Sequence, residues 1–282
     1  MTAAETARRR FFAPLREGVS PGAPWVEYAA RAGYLAIGIV YGLFGLLAIH
    51  AAFTAARIPD SRDALDAIRV APFGRILLAA VAAGLVCYAG WRMIQAWFDT
   101  EHKGSDAKGI FIRVGFALSG LAYLGLGVIA GLASFRGGST SDSGENQQAA
   151  ATVLSYPGGW IAVAVTGLVV IGVGIVHFRK VYTADFMQEY DRTEMSQAER
   201  DWAKPVGRFG LAARGTTFCL IGLFLTLAGW RANAGEVKSV GEAFNILAAQ
   251  PYGQVLLAVV AAGFVAFGVY CLSQAKYKRI WR

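Results

Sequence analysis

Residues 113–135 read RVGFALSGLAYLGLGVIAGLASF, a run with no charged side chain after its opening arginine. An α-helix needs about 20 mostly apolar residues to cross a hydrocarbon core of about 30 Å. The run is long enough to cross that distance, and only its first residue is charged. It therefore predicts a membrane-spanning helix.

Five further windows meet the same test of length and polarity: Gly33–Ala56, Phe73–Phe98, Gly158–Phe178, Phe209–Trp230 and Tyr252–Ala275. The composition agrees, because 55% of the 282 residues are hydrophobic and only 16% are charged, against about 25% charged in soluble domains. These values exclude a disordered chain, a disulfide-stapled secreted domain and an ordinary soluble enzyme. We expect an all-α, polytopic membrane protein with six transmembrane helices.

The lysines and arginines beside the six spans predict how the chain is oriented. The side that holds both termini carries 19 of them, and the opposite side carries 7. Loops rich in Lys and Arg stay in the cytoplasm, so both termini are expected there. The net charge of +8 then predicts contact with anionic lipids on the cytoplasmic side. It does not indicate nucleic-acid binding, since no soluble basic domain carries it. We expect a multi-pass protein of the plasma membrane.

The odd-numbered spans repeat one pattern three times. Each opens with Arg-x-Gly, at Arg31, Arg113 and Arg208. A glycine follows seven residues after the arginine, an aromatic residue ten after it, and a second glycine fourteen after it. The three columns hold Gly38, Gly120 and Gly215, then Tyr41, Tyr123 and Phe218, then Gly45, Gly127 and Gly222.

The even-numbered spans repeat as well, because Pro72, Pro157 and Pro251 each precede one of them, with a glycine two residues on. We place each proline in the first turn of its span. Before each proline, apolar residues are spaced as in a short helix on the membrane surface. The chain thus divides into a cytoplasmic tail, three two-helix repeats and a long cytoplasmic loop, with the bounds 1–30 for the tail, 31–98, 113–180 and 208–278 for the repeats, and 181–207 for the loop. Three repeats in one orientation predict a pseudo-three-fold bundle.

The repeated Arg-x-Gly, glycine, aromatic and Pro-x-Gly positions together resemble the bacterial domain-of-unknown-function family 1206. The resemblance covers nearly the whole chain beyond residue 30. It departs in the middle repeat, where Val169 takes the place of Gly84 and Gly263. It implies a membrane protein of three two-helix repeats. The family brings no activity with it, so no functional residue is carried over.

The glycine–aromatic–glycine positions of each odd span lie on one helix face, because residues three and four apart are neighbours on a helix. In lipid, small residues let helix backbones approach closely and so supply the packing. We favour packing as the role of these nine residues. The alternative is that Tyr41 and Tyr123 face an aqueous axis and contact a permeant.

Two arginines, Arg214 and Arg92, lie inside predicted spans, where ionisable residues are candidates for function. Arg214 breaks the symmetry, because its counterparts are Ile37 and Ser119. It lies about 9 Å into its helix, and we favour a side chain that reaches back to the interface. The alternative is that it anchors an anion or a neighbouring helix. For Arg92 we favour the same reach to the interface.

No motif for catalysis is present in the sequence, which lacks a phosphate-binding loop, a His-Glu-x-x-His pair and a Gly-x-Ser-x-Gly elbow. We therefore expect no cofactor, no metal site and no enzyme activity. Three function classes stay open. We favour a protein that organises the membrane or binds a partner. The alternatives are a channel or facilitator for a small solute or ion along the pseudo-three-fold axis, and an intramembrane enzyme.

For the charged loop 179–204 we favour a solvated connector, and the alternative is a docking site for a protein partner. Within this loop, Ser196 and Glu199 fit a capping box, which predicts a short helix ending at Trp202. The sequence does not predict the oligomeric state.

Overall fold

The computed structural model describes residues 24–54, 58–101, 104, 106–136, 145–191 and 193–280. Within these ranges the chain forms nine α-helices. In chain order they are α1 (Pro24–Thr54), α2 (Ser61–Val70), α3 (Gly74–Phe98), α4 (Ala107–Arg136), α5 (Glu145–Leu154), α6 (Gly159–Thr183), α7 (Gln197–Trp230), α8 (Val240–Ala248) and α9 (Gly253–Tyr277). Helices α1 to α3 form repeat 1, α4 to α6 form repeat 2, and α7 to α9 form repeat 3.

Six of these helices are long and apolar enough to cross a membrane, which confirms the expected all-α fold with six spans. The chain is therefore a multi-pass membrane protein. Successive long helices run in opposite directions, so the three short helices share one end of the bundle, which we call the short-helix end. The opposite end, which holds the first and last described residues, is the terminal end.

Two spans are longer than the sequence predicted. Helix α1 begins at Pro24, inside the predicted tail, and α7 begins directly after Ser196. The capping box at Ser196 does form, but the helix does not end at Trp202. It continues through Pro205, because Ala203 before the proline and Gly207 after it are buried against the bundle and offset the one hydrogen bond that proline removes.

A tight turn joins each short helix to the long helix that follows it. The residue after the proline adopts the left-handed backbone, with φ of 58° at Phe73, 77° at Gly158 and 62° at Tyr252. The next residue is a glycine that begins the long helix. A Cβ at these glycines would lie 1.9–2.3 Å from a carbonyl oxygen of the short helix, at Gly74, Gly159 and Gly253. The proline therefore precedes the cap, and the prediction that it lies in the first helical turn is wrong.

The three repeats interlock in a ring. Each odd-numbered span packs its two repeated glycines against the even-numbered span of another repeat: α4 against α3, α7 against α6, and α1 against α9. A Cβ at Gly45 would lie 2.7 Å from the backbone of Val265, and one at Gly222 would lie 2.7 Å from that of Gly167. The repeated glycines thus bring helix backbones into close contact, as small residues do in lipid.

The three repeated arginines strengthen the same helix pairs. Arg31, Arg113 and Arg208 each donate to a carbonyl oxygen at the C-terminal end of the neighbouring even-numbered span. The acceptors are Ala275 in α9 at 2.8 Å, Ala96 in α3 at 2.8 Å and Tyr182 in α6 at 3.2 Å. The last carbonyls of a helix lack partners within it and favour a nearby positive charge. Each arginine therefore caps a helix of another repeat, a role that the sequence analysis did not assign.

Repeats 1 and 3 hold their own two long helices close together. A Cβ at Gly84 would lie 2.5 Å from the Cβ of Ala36, and one at Gly263 would lie 2.3 Å from the Cβ of Ala213. These distances are too short for any side chain at the glycine. The close pairing of α1 with α3, and of α7 with α9, therefore requires a glycine facing an alanine.

Repeat 2 has Leu118 and Val169 at these two positions, and its two long helices are splayed. Helices α4 and α6 touch near the terminal end, where a Cβ at Gly115 would lie 3.3 Å from a methyl group of Val173. Beyond that point they hardly contact each other. We call this opening the repeat-2 gap. Its walls are Leu118, Leu121, Ala122 and Gly125 of α4 and Val170 and Val173 of α6.

Candidate functional site

A cavity of about 1090 Å³ lies between the three repeats. Asp60 and Ser239 line it at the short-helix end, and Glu101 and Lys278 line it at the terminal end. The walls of the repeat-2 gap line it as well, so it also opens sideways. The ring of helices thus surrounds one space along the pseudo-three-fold axis.

Arg214 lies on the wall of this cavity with only 5% of its surface exposed. Its Nη2 donates a hydrogen bond of 2.8 Å to the hydroxyl of Tyr123. Its Nε and Nη1 have no hydrogen-bond partner, and no carboxylate pairs with it, among the residues that the structure describes. From the sequence we favoured a side chain that reaches back to the interface. That prediction is wrong, because the guanidinium lies among aromatic rings inside the bundle.

These rings come from all three repeats. The Cζ atom of Arg214 lies 4.5 Å from the ring centre of Phe267, 5.1 Å from those of Tyr41 and Phe218, and 5.9 Å from that of Tyr123. The hydroxyls of Tyr41 and Tyr123 are 2.9 Å apart and share a hydrogen bond. Aromatic faces attract a desolvated cation by roughly 2 kcal/mol each. The repeated aromatic residues of the three odd-numbered spans therefore lie together at the axis. They stabilise the positive charge of Arg214 but do not neutralise it.

The structure separates the nine residues of the repeated stripe into two groups. The six glycines lie where odd-numbered spans meet spans of other repeats, at Gly38, Gly45, Gly120, Gly127, Gly215 and Gly222. The aromatic residues Tyr41, Tyr123 and Phe218 line the cavity. The spacing is the reason: at about 100° per residue, the aromatic side chain lies about 60° around the helix from the first glycine.

Arg92 also turns towards the cavity and not towards the lipid interface. Its Nε donates to the hydroxyl of Tyr88 at 2.9 Å, and its Nη1 donates to Oε1 of Gln95 at 3.1 Å. Its Cζ lies 5.1 Å from the ring centre of Phe116. This guanidinium has acceptors on its own helix. Of the two intramembrane arginines, Arg214 therefore has the donors without a partner among the described residues.

An ionic cluster lies at the terminal end of the cavity. Lys278 is 5% exposed, and its Nζ lies 2.8 Å from Glu189 and 3.4 Å from Glu101. Glu101 follows α3, Glu189 follows α6 and Lys278 follows α9, so the cluster joins all three repeats. Burial opposes the charge of Lys278, but the carboxylates, Glu189 first, hold the pKa of its ammonium well above the usual value.

Replacing Lys278 by methionine is expected to lower the free energy of unfolding by about 3–5 kcal/mol, because two carboxylates lose a buried partner. The double variant Lys278→Met/Glu189→Gln should recover more than half of that loss, since Gln95 still donates to Glu101 at 2.7 Å. Thermal unfolding in detergent measures both. Equal unfolding temperatures for the single and double variants would contradict a coupled cluster.

The same cluster sets a pH dependence. A raised pKa in the folded state means that the contribution of Lys278 is fully present below its ordinary pKa of about 10.5. The contribution is lost as the pH rises from there through the folded-state value. Above pH 10.5, the unfolding temperature of the wild type should therefore fall more steeply with rising pH than that of Lys278→Met.

At the short-helix end, Asp60 joins two repeats. Its carboxylate accepts hydrogen bonds from the hydroxyl of Ser239 at 2.8 Å and from the backbone amide of Gly241 at 2.7 Å. Asp60 precedes α2, whereas the two donors lie at the start of α8. This contact ties repeat 1 to repeat 3 at one end of the cavity, as the ionic cluster does at the other.

The loop 179–204, for which we favoured a solvated connector over a partner site, folds in part onto its own bundle. Phe186 is buried and lies against Gly207. The hydroxyl of buried Tyr190 forms a hydrogen bond of 2.6 Å with that of Ser273. Phe186 and Tyr190 are thus part of the core, whereas Tyr182 and Trp202 of the same loop are exposed.

Other chemistry is sparse in the part of the chain that the structure describes. No group of three His, Cys, Asp or Glu side chains there could hold a metal ion. The three cysteines, Cys87, Cys219 and Cys271, are free thiols. Arg214 and the aromatic rings around it therefore form the candidate site.

Comparison with known proteins places these features in context. Residues 32–99, 114–184 and 209–278 each match the family described as Domain of Unknown Function (DUF1206). A relative described as Uncharacterized protein YxxB, from Bacillus subtilis (strain 168), is 33% identical over 258 residues, which is 91% of this chain and 93% of the relative. No solved structure matches the chain. Each matched stretch contains one two-helix repeat with its short helix.

Proposed function

The chain belongs to the DUF1206 family, as its repeated motifs indicated, and we propose that it is a facilitator that binds an anionic solute at Arg214 and lets it pass along the axial cavity. One observation carries the proposal: Arg214, on the wall of a cavity of about 1090 Å³, has a guanidinium with two buried donors to which no described residue offers an acceptor. Burying an unpaired charge costs several kcal/mol. A bound anion would offset that cost.

The lining of the cavity supports the same conclusion. Intramembrane ionisable residues that face a cavity mark solute pathways by default, and Arg214 is such a residue. Charged side chains line the cavity at both ends, at Asp60 and Asp63 on one side and at Glu189 and Lys278 on the other. Repeats arranged about an axis along the membrane normal recur in transporters. The plasma membrane, with the terminal end on the cytoplasmic side, is the location that we propose.

A role in membrane organisation or partner binding, which we favoured from the sequence, has less support. Two aromatic residues of the loop 179–204, Phe186 and Tyr190, are packed inside the bundle and offer no surface to a partner. A protein that acts only through its surfaces would also have no need of a polar group on its axis. The facilitator requires no bond to be made or broken, so the proposal is a non-catalytic one.

Flux through liposomes tests the proposal. Purified protein is reconstituted into vesicles loaded with potassium acetate or potassium chloride, which are diluted into potassium-free buffer with valinomycin. We expect anion efflux at least tenfold faster than from protein-free vesicles, and no leak of potassium without valinomycin. Efflux at the protein-free rate for both anions, from protein that elutes as a folded species, would contradict a facilitator.

A further inference from the structure

We infer that the solute is an amphiphile with an anionic head and a single acyl chain, with the head at Arg214 and the chain in the repeat-2 gap. This inference rests on the proposed function and names its substrate class. It is carried by the gap itself, by the groups that line it and by its position beside Arg214.

The gap replaces a helix contact that the other repeats make. In each odd-numbered span, the positions five, nine and twelve residues after the repeated arginine lie on the face towards the even-numbered span of the same repeat. In repeats 1 and 3 these residues are buried or half-buried: Ala36, Val40 and Leu43, and Ala213, Thr217 and Leu220. In repeat 2 the corresponding residues are all exposed: Leu118, Ala122 and Gly125.

The same three residues of repeat 2 also line the cavity. One continuous apolar surface therefore faces both the lipid side and the axis. Gly125 stands where the other repeats have leucine, and a Cβ there would meet no atom within 4 Å. This position leaves room beside α4 that a side chain fills in the other two repeats.

Two different costs explain why an amphiphile fits this geometry. An acyl chain that enters the gap from the lipid exchanges one apolar surrounding for another, at little cost. A charged head loses its hydration and needs a partner of opposite charge. Arg214 is that partner, and it is joined to the gap by its hydrogen bond to Tyr123, which is adjacent to Ala122 on α4. A small inorganic anion would use the arginine but not the gap.

Filling the gap from α4 gives the sharpest test. Leu121 and Leu124 are both exposed leucines of α4, but of the two only Leu121 lines the cavity. Binding of laurate and of dodecyl phosphate to the protein in nanodiscs is measured by displacement of a fluorescent fatty acid. We expect Leu121→Trp to weaken binding of at least one of the two probes tenfold or more, and Leu124→Trp to leave it within twofold of the wild type.

Closing the gap is the second test. The double variant Leu118→Ala/Val169→Gly restores the alanine and glycine that hold α1 against α3 and α7 against α9. We expect it to weaken binding of the same amphiphile tenfold or more. Amphiphile binding that is absent from the wild type, or unaffected by both variants, would overturn the inference. If the amphiphile does not bind but the wild type still releases acetate, the facilitator proposal holds without this substrate. If the wild type does not release acetate either, both proposals are wrong.

Discussion

Arg214→Gln is expected to reduce acetate efflux from liposomes at least tenfold. The guanidinium has two donors without a partner among the described residues, and it faces a cavity that reaches both ends of the bundle. Glutamine keeps a donor at this position but removes the charge that offsets the dehydration of an anion. The efflux assay described above measures the effect directly.

Although Arg214→Gln should lower efflux, it is not expected to lower the stability of the protein. Removing one partner of a buried ion pair destabilises a protein, but Arg214 has no carboxylate partner in the described chain, so its removal relieves a desolvation cost. Its contacts with Tyr41, Phe218 and Phe267 recover part of that cost. We expect an unfolding temperature no lower than that of the wild type, as is common where a functional group is held at the expense of stability.

Arg75→Gln is the matched control, since Arg75 is an exposed arginine at the short-helix end and the change in charge is the same. Its efflux should stay within twofold of the wild type. A fall in unfolding temperature of more than about 5 °C for Arg214→Gln, with efflux retained, would show that Arg214 is a structural residue.

Alanine at the glycine of Arg-x-Gly is expected to destabilise repeats 1 and 3 but not repeat 2. A Cβ at Gly33 would lie 2.7 Å from the backbone of Tyr88, and one at Gly210 would lie 2.5 Å from the backbone of Phe267. A backbone cannot yield as a side chain can, so each substitution should cost about 3 kcal/mol or more. The corresponding atom in repeat 2 is a methyl group of Val173 at 3.3 Å from Gly115.

Gly115→Ala should therefore change the free energy of unfolding by less than about 1 kcal/mol, because the gain in helix propensity is of that size. Gly90→Ala serves as a second reference, since a Cβ there would meet no atom within 4 Å. The unfolding temperatures of the four variants in one detergent give the comparison. Equal losses in all three repeats would mean that α4 and α6 are packed as closely as the other pairs.

Much of this architecture could be predicted from local patterns. A charge-free run such as Val114–Phe135 predicts a span by its length alone, and the return of Arg-x-Gly three times predicts three equivalent units. The glycine two residues after each proline was also visible, but the left-handed turn between them was not predicted. These features depend on neighbouring residues, which is why one sequence was enough to find them.

The candidate site depended on contacts between residues far apart in the chain. Helical rise placed Arg214 about 9 Å from the interface, but only its neighbours decide whether it faces lipid or the axis. Three of these neighbours, Tyr41, Tyr123 and Phe267, come from three different spans. The capping role of Arg31 was hidden for the same reason, because its acceptor is 244 residues away.

One signal of the gap was present in the sequence. The middle repeat has Leu118, Gly125 and Val169 where the other repeats have alanine, leucine and glycine. Of the three, only Val169 stood out as a departure from the family pattern. Read together, the three substitutions enlarge two facing side chains and remove a third, which is the pattern expected where two helices separate.

The contact of α1 with α9 sets the order in which the bundle can be completed. Chains are made from the N-terminus, and α4 and α7 each meet a partner that was synthesised just before them. Helix α1 is the first span made, yet the face that carries Gly38 and Gly45 fits the last span. That face has no helix to pack against until α9, which ends at residue 277, has been made. The ring therefore closes in one late step, after the sixth of the described spans has been made.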